Sequence, residues 1–404
     1  MHAGIKERGT VKKNSKAENI NNKPLSIPED NEADNVKNQD GNLLSSRSAG
    51  GPPEAGFLDR IINSSRSLVF SPAVILIPVI SLLVLLLLVF ALSDTPARTL
   101  YFFFIGPFRN LFSFGNMLNS AVPLVFGALG ITVAMKAGNL NLGGEGQIYL
   151  GAFTATAAAF SLSQLGAIGG ILAVTLGVFA SGAMAAFSGL CKAKWNTSEL
   201  ITTFLLSCAV IPVINYLVTG PFLDPETSLQ STEKIAENMR LHLILKPSGL
   251  SASAFLAAAS VVIVQLFLVK TKLGFEFRMA GSNEMFARYG GINTKLNNVL
   301  AMAISGGFYG LAGSLAVFGT HYATVKEFSS GLGWNGLAVA LIAGFYPPAV
   351  IPAALFFAWI GAGARIAMQN TGLTYEVASI VQAVIFFLST SLVIRNIFSK
   401  RGKN

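Results

Sequence analysis

The sequence predicts an all-α polytopic membrane protein, with about ten transmembrane helices and a short helix on the cytoplasmic face. Three observations carry that prediction. Of 404 residues, 52% are hydrophobic and only 12% are charged, against roughly 25% charged in an average soluble domain. Apolar runs long enough to cross a bilayer, which takes about 20 residues of helix, recur from residue 68 onward. The stretch 137–152, AGNLNLGGEGQIYLGA, sets Asn139, Asn141, Glu145 and Gln147 among five glycines with apolar runs on both sides. A carboxylate and three carboxamides at such depth are costly unless they face protein or water, which makes the cluster a candidate site. Its glycines let a helix break and another backbone approach. An interrupted segment beside a polar path is expected.

The net charge of +9 is not a nucleic-acid footprint, because the basic residues sit in short loops between apolar runs, where they report orientation. Cys191 and Cys208 are too few and too dispersed for a disulfide framework or a zinc site, and read as free thiols. Residues 1–66 are rich in Asn, Lys, Ser and Glu, nearly charge-balanced and poor in aromatics. Such a segment cannot bury enough apolar surface to order itself, so a disordered cytoplasmic N-terminal tail is expected. With no apolar run before residue 68, no cleavable secretory signal is expected either.

The run 68–92 is the first expected span. The Phe-rich piece after it (Tyr101, Phe102, Phe103, Phe104, Phe108, Phe112, Phe114) is broken by Pro107, carries Arg109, and suits the membrane interface. An interfacial anchor is the preferred reading, and a lid over a substrate path the alternative. Further spans are expected at 116–136, 143–163, 167–190, 199–219, 252–270, 296–318, 333–346, 348–368 and 375–394. Several are full of Gly, Ala and Ser. In SGGFYGLAGS (305–314), Gly306 and Gly310 are four apart, and close helix packing is the role expected of them.

Charge in the loops fixes orientation. Lys192 and Lys194 share one loop, Lys270, Lys272, Arg278, Arg288 and Lys295 another, and Arg395, Lys400, Arg401 and Lys403 the C-terminal end. Alternating spans put all three groups on one side, which the positive-inside rule makes the cytoplasm. Both termini are then cytoplasmic, with 396–404 a basic tail. The long loop 220–250, where Asp224, Glu226, Glu233 and Glu237 outweigh Lys234, Arg240 and Lys246, is external.

The largest cytoplasmic loop, 271–293 (TKLGFEFRMAGSNEMFARYGGIN), is the least loop-like. Ser282 or Asn283 before Glu-Met-Phe-Ala-Arg-Tyr is a helix start and Gly290-Gly291 a stop, so Glu284–Tyr289 is expected as a short helix along the cytoplasmic face. A connector needs only a few residues. This much ordered punctuation points to docking of a partner.

Taken in order, AGNLNLGGEGQIYLGA (137–152), GFEFRMAGSNEMFARYGGIN (274–293) and SGGFYGLAGS (305–314) resemble the permease subunit of bacterial ATP-binding-cassette (ABC) importers. The resemblance is to the branched-chain amino acid, ribose and nucleoside permease family and covers residues 115–395. Gly138-Asn139-Leu140-Asn141-Leu142 stands where ribose-type members carry Gly-Ile-Asp-Leu-Ser. Glu145-Gly146-Gln147 is similar to the nucleoside branch, which riboflavin permeases share. The resemblance implies that 67–395 is the transmembrane permease domain and that 271–293 is its coupling loop, with the helix at 284–289 as coupling helix. Gly274, Arg278, Gly281, Asn283, Ala287, Gly291 and Ile292 match the loop that seats in a groove of the ATPase subunit. NTSELITTFLL (196–206) is similar to the family's Asn-Glu-Val-Ile-Thr-Thr element, with Ser198 and Ser207 where asparagines are usual. Pro123 stands where the family has a proline entering its second span.

What the resemblance implies is a membrane-spanning subunit of an ATP-driven importer in the bacterial cytoplasmic (inner) membrane, carrying a nucleoside-like solute such as a purine nucleoside or riboflavin. The implied partners are an ABC ATPase subunit, a second permease subunit (homologous or identical), a periplasmic or lipoprotein solute-binding protein and membrane lipid; no nucleic acid is implied. The chain has no Gly-x-x-x-x-Gly-Lys-Ser/Thr loop. It is therefore expected to bind no cofactor and to be no enzyme, ATP being hydrolysed by the partner.

Asn139, Asn141, Glu145, Gln147 and Tyr149 are the candidate substrate-path residues. Carboxamides both donate and accept, which suits a neutral, hydroxyl-rich solute. Glu145 could bond such a solute or cap a broken helix and tie spans together, and the second role is favoured. Tyr149, Phe153 and Phe204 could stack on a base, though packing is the commoner role of aromatics on a span. Trp334 and Trp359 read as interface or packing residues. His242 and His321 fall in expected external loops without metal spacing. Import of ribose or another simple sugar stays open. A stand-alone secondary transporter is disfavoured, since Glu145 is the one acid that reads as clearly deep, and no catalytic pairing supports an intramembrane enzyme.

Overall fold

The computed structural model describes residues 72–329, 331–371, 376, 377, 379–384 and 387. The expected tails at 1–66 and 396–404 lie outside the described residues, as does most of the expected span 375–394. Twelve helices are numbered here in chain order: α1 Pro72–Leu92, α2 Pro96–Phe104, α3 Leu111–Lys136, α4 Gly144–Leu162, α5 Gly166–Trp195, α6 Glu199–Thr219, α7 Ser253–Lys270, α8 Lys272–Ser282, α9 Glu284–Tyr289, α10 Thr294–Ala316, α11 Leu332–Ile342 and α12 Pro347–Thr371. Among the described residues six stretches are long and apolar enough to cross a membrane: Leu111–Lys136, Gly144–Trp195, Glu199–Thr219, Ser253–Lys270, Thr294–His321 and Pro347–Thr371. The second takes in both α4 and α5, which are separated by a 3-10 turn at Ser163–Leu165 and by Gly166 at φ 55°. The chain is a mostly helical, multi-pass membrane protein.

Two expectations change. The expected span 333–346 is only the 11-residue helix α11, about 16 Å long and too short to cross a bilayer. The loop between α6 and α7 is not featureless: Leu243–Leu245 pairs antiparallel with Leu250–Ser251 as β1 and β2, a small departure from all-α. The Phe-rich piece forms α2 and a 3-10 turn, Gly106–Phe108. Phe103 packs edge-on and Phe104 tilted against Trp359 of α12, with ring centroids 6.5 and 5.5 Å away, while Tyr101, Phe108 and Phe112 point outward. Its inner rings rest on α12.

Small residues set the centre of the fold. α10 is pressed between α4 and α5, so that a Cβ on Gly310 would lie 2.7 Å from Ser181 Cβ and 2.8 Å from Gly177 O, and one on Gly306 would lie 2.5 Å from Ala185 Cβ. Close approach of this kind replaces the hydrophobic effect as the glue between helices in lipid. The hydroxyls there also serve as cross-links: Ser181 Oγ donates to Gln147 O at 2.7 Å and Ser314 Oγ to Gly151 O at 3.1 Å. By contrast Gly307 faces outward, its nearest neighbour being Val178 Cγ1 at 3.4 Å. Gly310→Val is expected to cost about 1–3 kcal/mol by overpacking, and Gly307→Ala almost nothing. Thermal unfolding of the two purified variants in one detergent checks the ordering.

Depth follows from contacts. Gly144, at the start of α4, lies against the ring of Tyr309, and so does Gly127 in the second half of α3. Tyr309 is fully enclosed in the middle of the span Thr294–His321. Thus α3 runs on to Lys136, but α4 begins level with the interiors of its neighbours. The segment 137–143 climbs between the two without helical structure.

Candidate functional site

The polar cluster expected at 137–152 is a real break. Gly138 (φ 79°) turns the chain out of α3, and Asn139 N reaches back to Ala134 O at 2.9 Å. Asn141 then makes four hydrogen bonds. Its Nδ2 donates to Gln147 Oε1 (2.8 Å) and to Ser305 Oγ (3.1 Å), while its Oδ1 accepts from Gly143 N (3.0 Å) and Gln147 Nε2 (3.0 Å). Asn139 donates to Asn298 Oδ1 at 3.2 Å and accepts from Lys192 Nζ at 2.7 Å. The three carboxamides are at most 1% exposed. They hold the break to α4, α5 and α10, and in this conformation none turns toward an open path.

Glu145 sits where two helices begin. It belongs to the first turn of α4, and its Oε1 accepts from Gly333 N at 2.9 Å, at the start of α11. The backbones of Gly331 and Trp334 and the side chain of Ser329 also bond to it. The two starts touch, since a Cβ on Gly333 would lie 2.5 Å from Glu145 N. Each helix start presents unpaired N–H groups and the positive end of its dipole. One carboxylate therefore answers two helix N-termini, a partner that α11 needs because its own N-cap is Gly331 at φ 84°, without a side chain. The space left among Asn141, Glu145, Tyr309 and Trp334 is about 10 Å³, at or below what one water molecule takes. The site is closed at this level.

One turn further along α4, Tyr149 is fully enclosed against Phe328, with ring centroids 5.8 Å apart. Its hydroxyl donates to Asn215 Oδ1 (2.8 Å) and accepts from Glu327 N (3.3 Å), and Asn215 Nδ2 donates to Glu327 Oε1 (3.2 Å). The aromatics named as possible stackers are engaged too, Phe153 with Phe222 at 5.2 Å and Phe204 with Trp334 at 6.4 Å. Cys191 and Cys208 are free thiols, and His321 lies on the Phe328 ring at 5.5 Å. Among the described residues no group of His, Cys, Asp or Glu is placed to hold a metal ion.

The loop 271–293 holds two helices where one was expected. Thr271 Oγ1 caps α8 by accepting from Gly274 N (3.0 Å), and Asn283 Oδ1 caps α9 by accepting from Phe286 N (2.9 Å). Arg288 closes α9 with an ion pair to Glu284 at 2.7 Å. The motif residues divide. Gly274, on the Phe267–Leu268 backbone, and Ala287 are buried, Arg278 and Ile292 are half-buried, and Gly281, Asn283 and Gly291 are exposed, Gly281 with its backbone against that of 136–138 and Gly291 (φ 79°) with open space where a Cβ would stand. The large outward side chains are Met285, Phe286 and Tyr289, exposed by 69%, 61% and 87%.

Over residues 113–390 the chain matches the model of the family described as the permease component of the branched-chain amino acid transport system. It belongs to that family. Among curated relatives of this permease family, a probable riboflavin import permease of Treponema pallidum is 33% identical over 300 residues, 73% of this chain and 79% of that protein. A guanosine ABC transporter permease of Bacillus subtilis is 29% identical over 311 residues, covering 74% and 87%. A glucose ABC transporter permease of Haloferax volcanii is 29% identical over 313 residues, covering 74% and 82%. No solved structure matches the chain.

Within the permease the structure adds residues that the sequence reading missed. Lys192 and Glu199, read as a loop charge and an unremarked acid, pair at 2.9 Å with side chains only 20% and 14% exposed, and tie the end of α5 to the start of α6. Glu145 is thus not the only enclosed acid. Ser207, where the family's asparagine was expected, accepts from Gly146 N at 2.7 Å, and Thr203 accepts from Leu142 N at 3.2 Å. Thr203 and Ser207 therefore hold the break from α6. Asn215 and Glu327 carried no sequence signal. Met285, Phe286 and Tyr289 did, because i, i+1 and i+4 on a capped helix share a face opposite Ala287.

Proposed function

We infer that this permease is the membrane-spanning subunit of an ATP-driven ABC importer, forming the path for a nucleoside-like solute, a purine nucleoside or riboflavin. The observation that carries this reading furthest is α9, a capped helix of the family's loop that presents Met285, Phe286 and Tyr289 bare to solvent. Three large apolar side chains on one turn of an exposed helix are a surface that a partner covers. The partner is the ABC ATPase subunit, which supplies ATP hydrolysis while this chain binds no cofactor and no metal. With a second permease subunit, homologous or identical, the chain forms the path in the lipid of a bacterial cytoplasmic membrane, and an external solute-binding protein, periplasmic or a lipoprotein, delivers the solute. Cytoplasmic termini and a coupling helix at α9 complete the arrangement; no nucleic acid takes part.

Asn139, Asn141, Glu145, Gln147 and Tyr149 surround the gate of that path. They are closed on one another here and open when the ATPase subunits change the relative stability of two permease states. Names of relatives support the solute class, riboflavin for one and guanosine for another. A glucose relative supports simple-sugar import as a second reading. A single-chain secondary transporter has less support, because Glu145 is committed to the start of α11.

The test is a mild-detergent pull-down of the tagged chain with mass spectrometry of what comes with it, repeated with Phe286→Asp and Met285→Asp. An ATPase and a second permease are expected with the native chain, and at least a ten-fold loss of the ATPase with either variant. Recovery of the chain alone, with solute uptake in ATP-free liposomes, would falsify the reading.

A further inference from the structure

We propose that Gly281 and Gly138 form the joint through which movement of the loop 271–293 reaches the polar break. The inference rests on the ATPase-docking reading above and deepens it: Gly281 and Gly138 are positioning residues that act through the contact of their backbones.

The two glycines meet backbone to backbone. A Cβ on Gly281 would fall on the carbonyl oxygen of Lys136 and lie 2.9 Å from Gly138 N, and one on Gly138 would lie 3.1 Å from Gly281 Cα. Gly138 is in the left-handed region at φ 79°, where an L side chain is strained whatever the space. Contact between two backbones leaves no side chain to yield, so a shift of α8 along this line displaces Gly138 with it. The next residues are those of the break. Asn139 is held to Lys192 of α5 and Asn298 of α10, and Asn141 to Gln147 of α4 and Ser305 of α10. On the other side of the joint, Ser282 and Asn283 lead directly into α9 and its exposed Met285 and Phe286.

A covalent route also leads from α9 into α10. It passes through Gly290 and Gly291 and is held by Gly291 N to Arg288 O and Ile292 N to Ala287 O, both 3.0 Å, and by Arg288 Nε to Thr294 Oγ1 at 3.0 Å. The contact of Gly281 with Gly138 is the route that leads directly to 136–143, the segment that determines whether Asn141 and Glu145 stay closed.

The test uses the complete complex of permease, ATPase and binding protein, compared nucleotide-free and trapped with ADP and vanadate, by hydrogen–deuterium exchange of backbone amides. Peptides over 284–289 are expected to be protected by the ATPase, and those over 278–283 and 136–143 to change together on trapping. Protection at 284–289 with no response at 136–143 overturns the inference alone. Absence of protection at 284–289 overturns the docking reading and the inference with it. In the same complex the nucleotide response of 136–143 is expected to be lost in Gly281→Ala. Gly290→Ala, whose Cβ would meet only carbonyls of its own helix at 3.4 and 3.5 Å, keeps it. A native response in Gly281→Ala counts against the joint. If that variant does not assemble, the exchange pattern of the native complex decides.

Discussion

Replacing Glu145 with alanine is expected to destabilise the protein by about 2–4 kcal/mol and to abolish uptake, because enclosed N–H groups at the start of α11 lose their acceptor. Glu145→Gln keeps a carbonyl oxygen for Gly333 N and loses only the charge facing two helix dipoles, so it is expected to cost about 1 kcal/mol and to retain most of the uptake. The pair of variants separates two mechanisms. A carrier driven by proton movement at Glu145 would lose transport in the glutamine variant while folding normally. Thermal unfolding in detergent, together with uptake in liposomes containing the ATPase and binding protein, reads both quantities. A stable but inactive glutamine variant would overturn the capping role.

Asn141→Ala is expected to be about as damaging, at about 2–4 kcal/mol. In a membrane protein each side-chain hydrogen bond is worth on the order of 0.6 kcal/mol and rarely above about 1.7, and this side chain makes four, to Gly143, Gln147 and Ser305. The substitution also leaves both ends of the Gln147 carboxamide unpaired in a site with no room for replacement water. Asn139→Ala removes two bonds, and Lys192 still has Glu199. It is expected to cost less than half as much. Equal losses for the two variants, measured as shifts in midpoint under one detergent condition, would mean that the break is held by packing rather than by its amides.

The elements legible in the sequence are those specified by local chemistry. Asn283 and the Gly290-Gly291 pair placed α9 at Glu284–Tyr289 to the residue, because a cap and a stop act within one turn. The helices α4, α6 and α7 agree with the expected runs to within one residue at each end, since an apolar run in lipid has no other way to satisfy its backbone. What escaped was set by partners far away in the chain. α8 reads poorly as a helix because Gly274 and Gly281 weaken it, and both are there for backbones at Phe267–Leu268 and Lys136–Gly138. α11 was drawn too long because the apolar run continues past Ile342 while Gly344 and Phe345, both at positive φ, turn the chain away from the helix. The polar cluster was found but its use was not. Composition shows that four polar side chains lie deep, and only coordinates show that Asn141 and Gln147 bond to each other.

The eleven residues of α11 also bear on how the chain enters the bilayer during synthesis. A stretch that short gives the insertion machinery too little apolar length to hold, and its Gly333 N–H has no acceptor until Glu145, 188 positions earlier in the chain, is already in place. α11 is therefore expected to enter as a hairpin with α12, turned by Gly344 and Phe345, both at positive φ. Its final seating waits for the earlier spans to assemble. A ribosome-stalled product ending just after Ile342 should leave α11 outside the membrane and open to protease, and one extended beyond Thr371 should protect it.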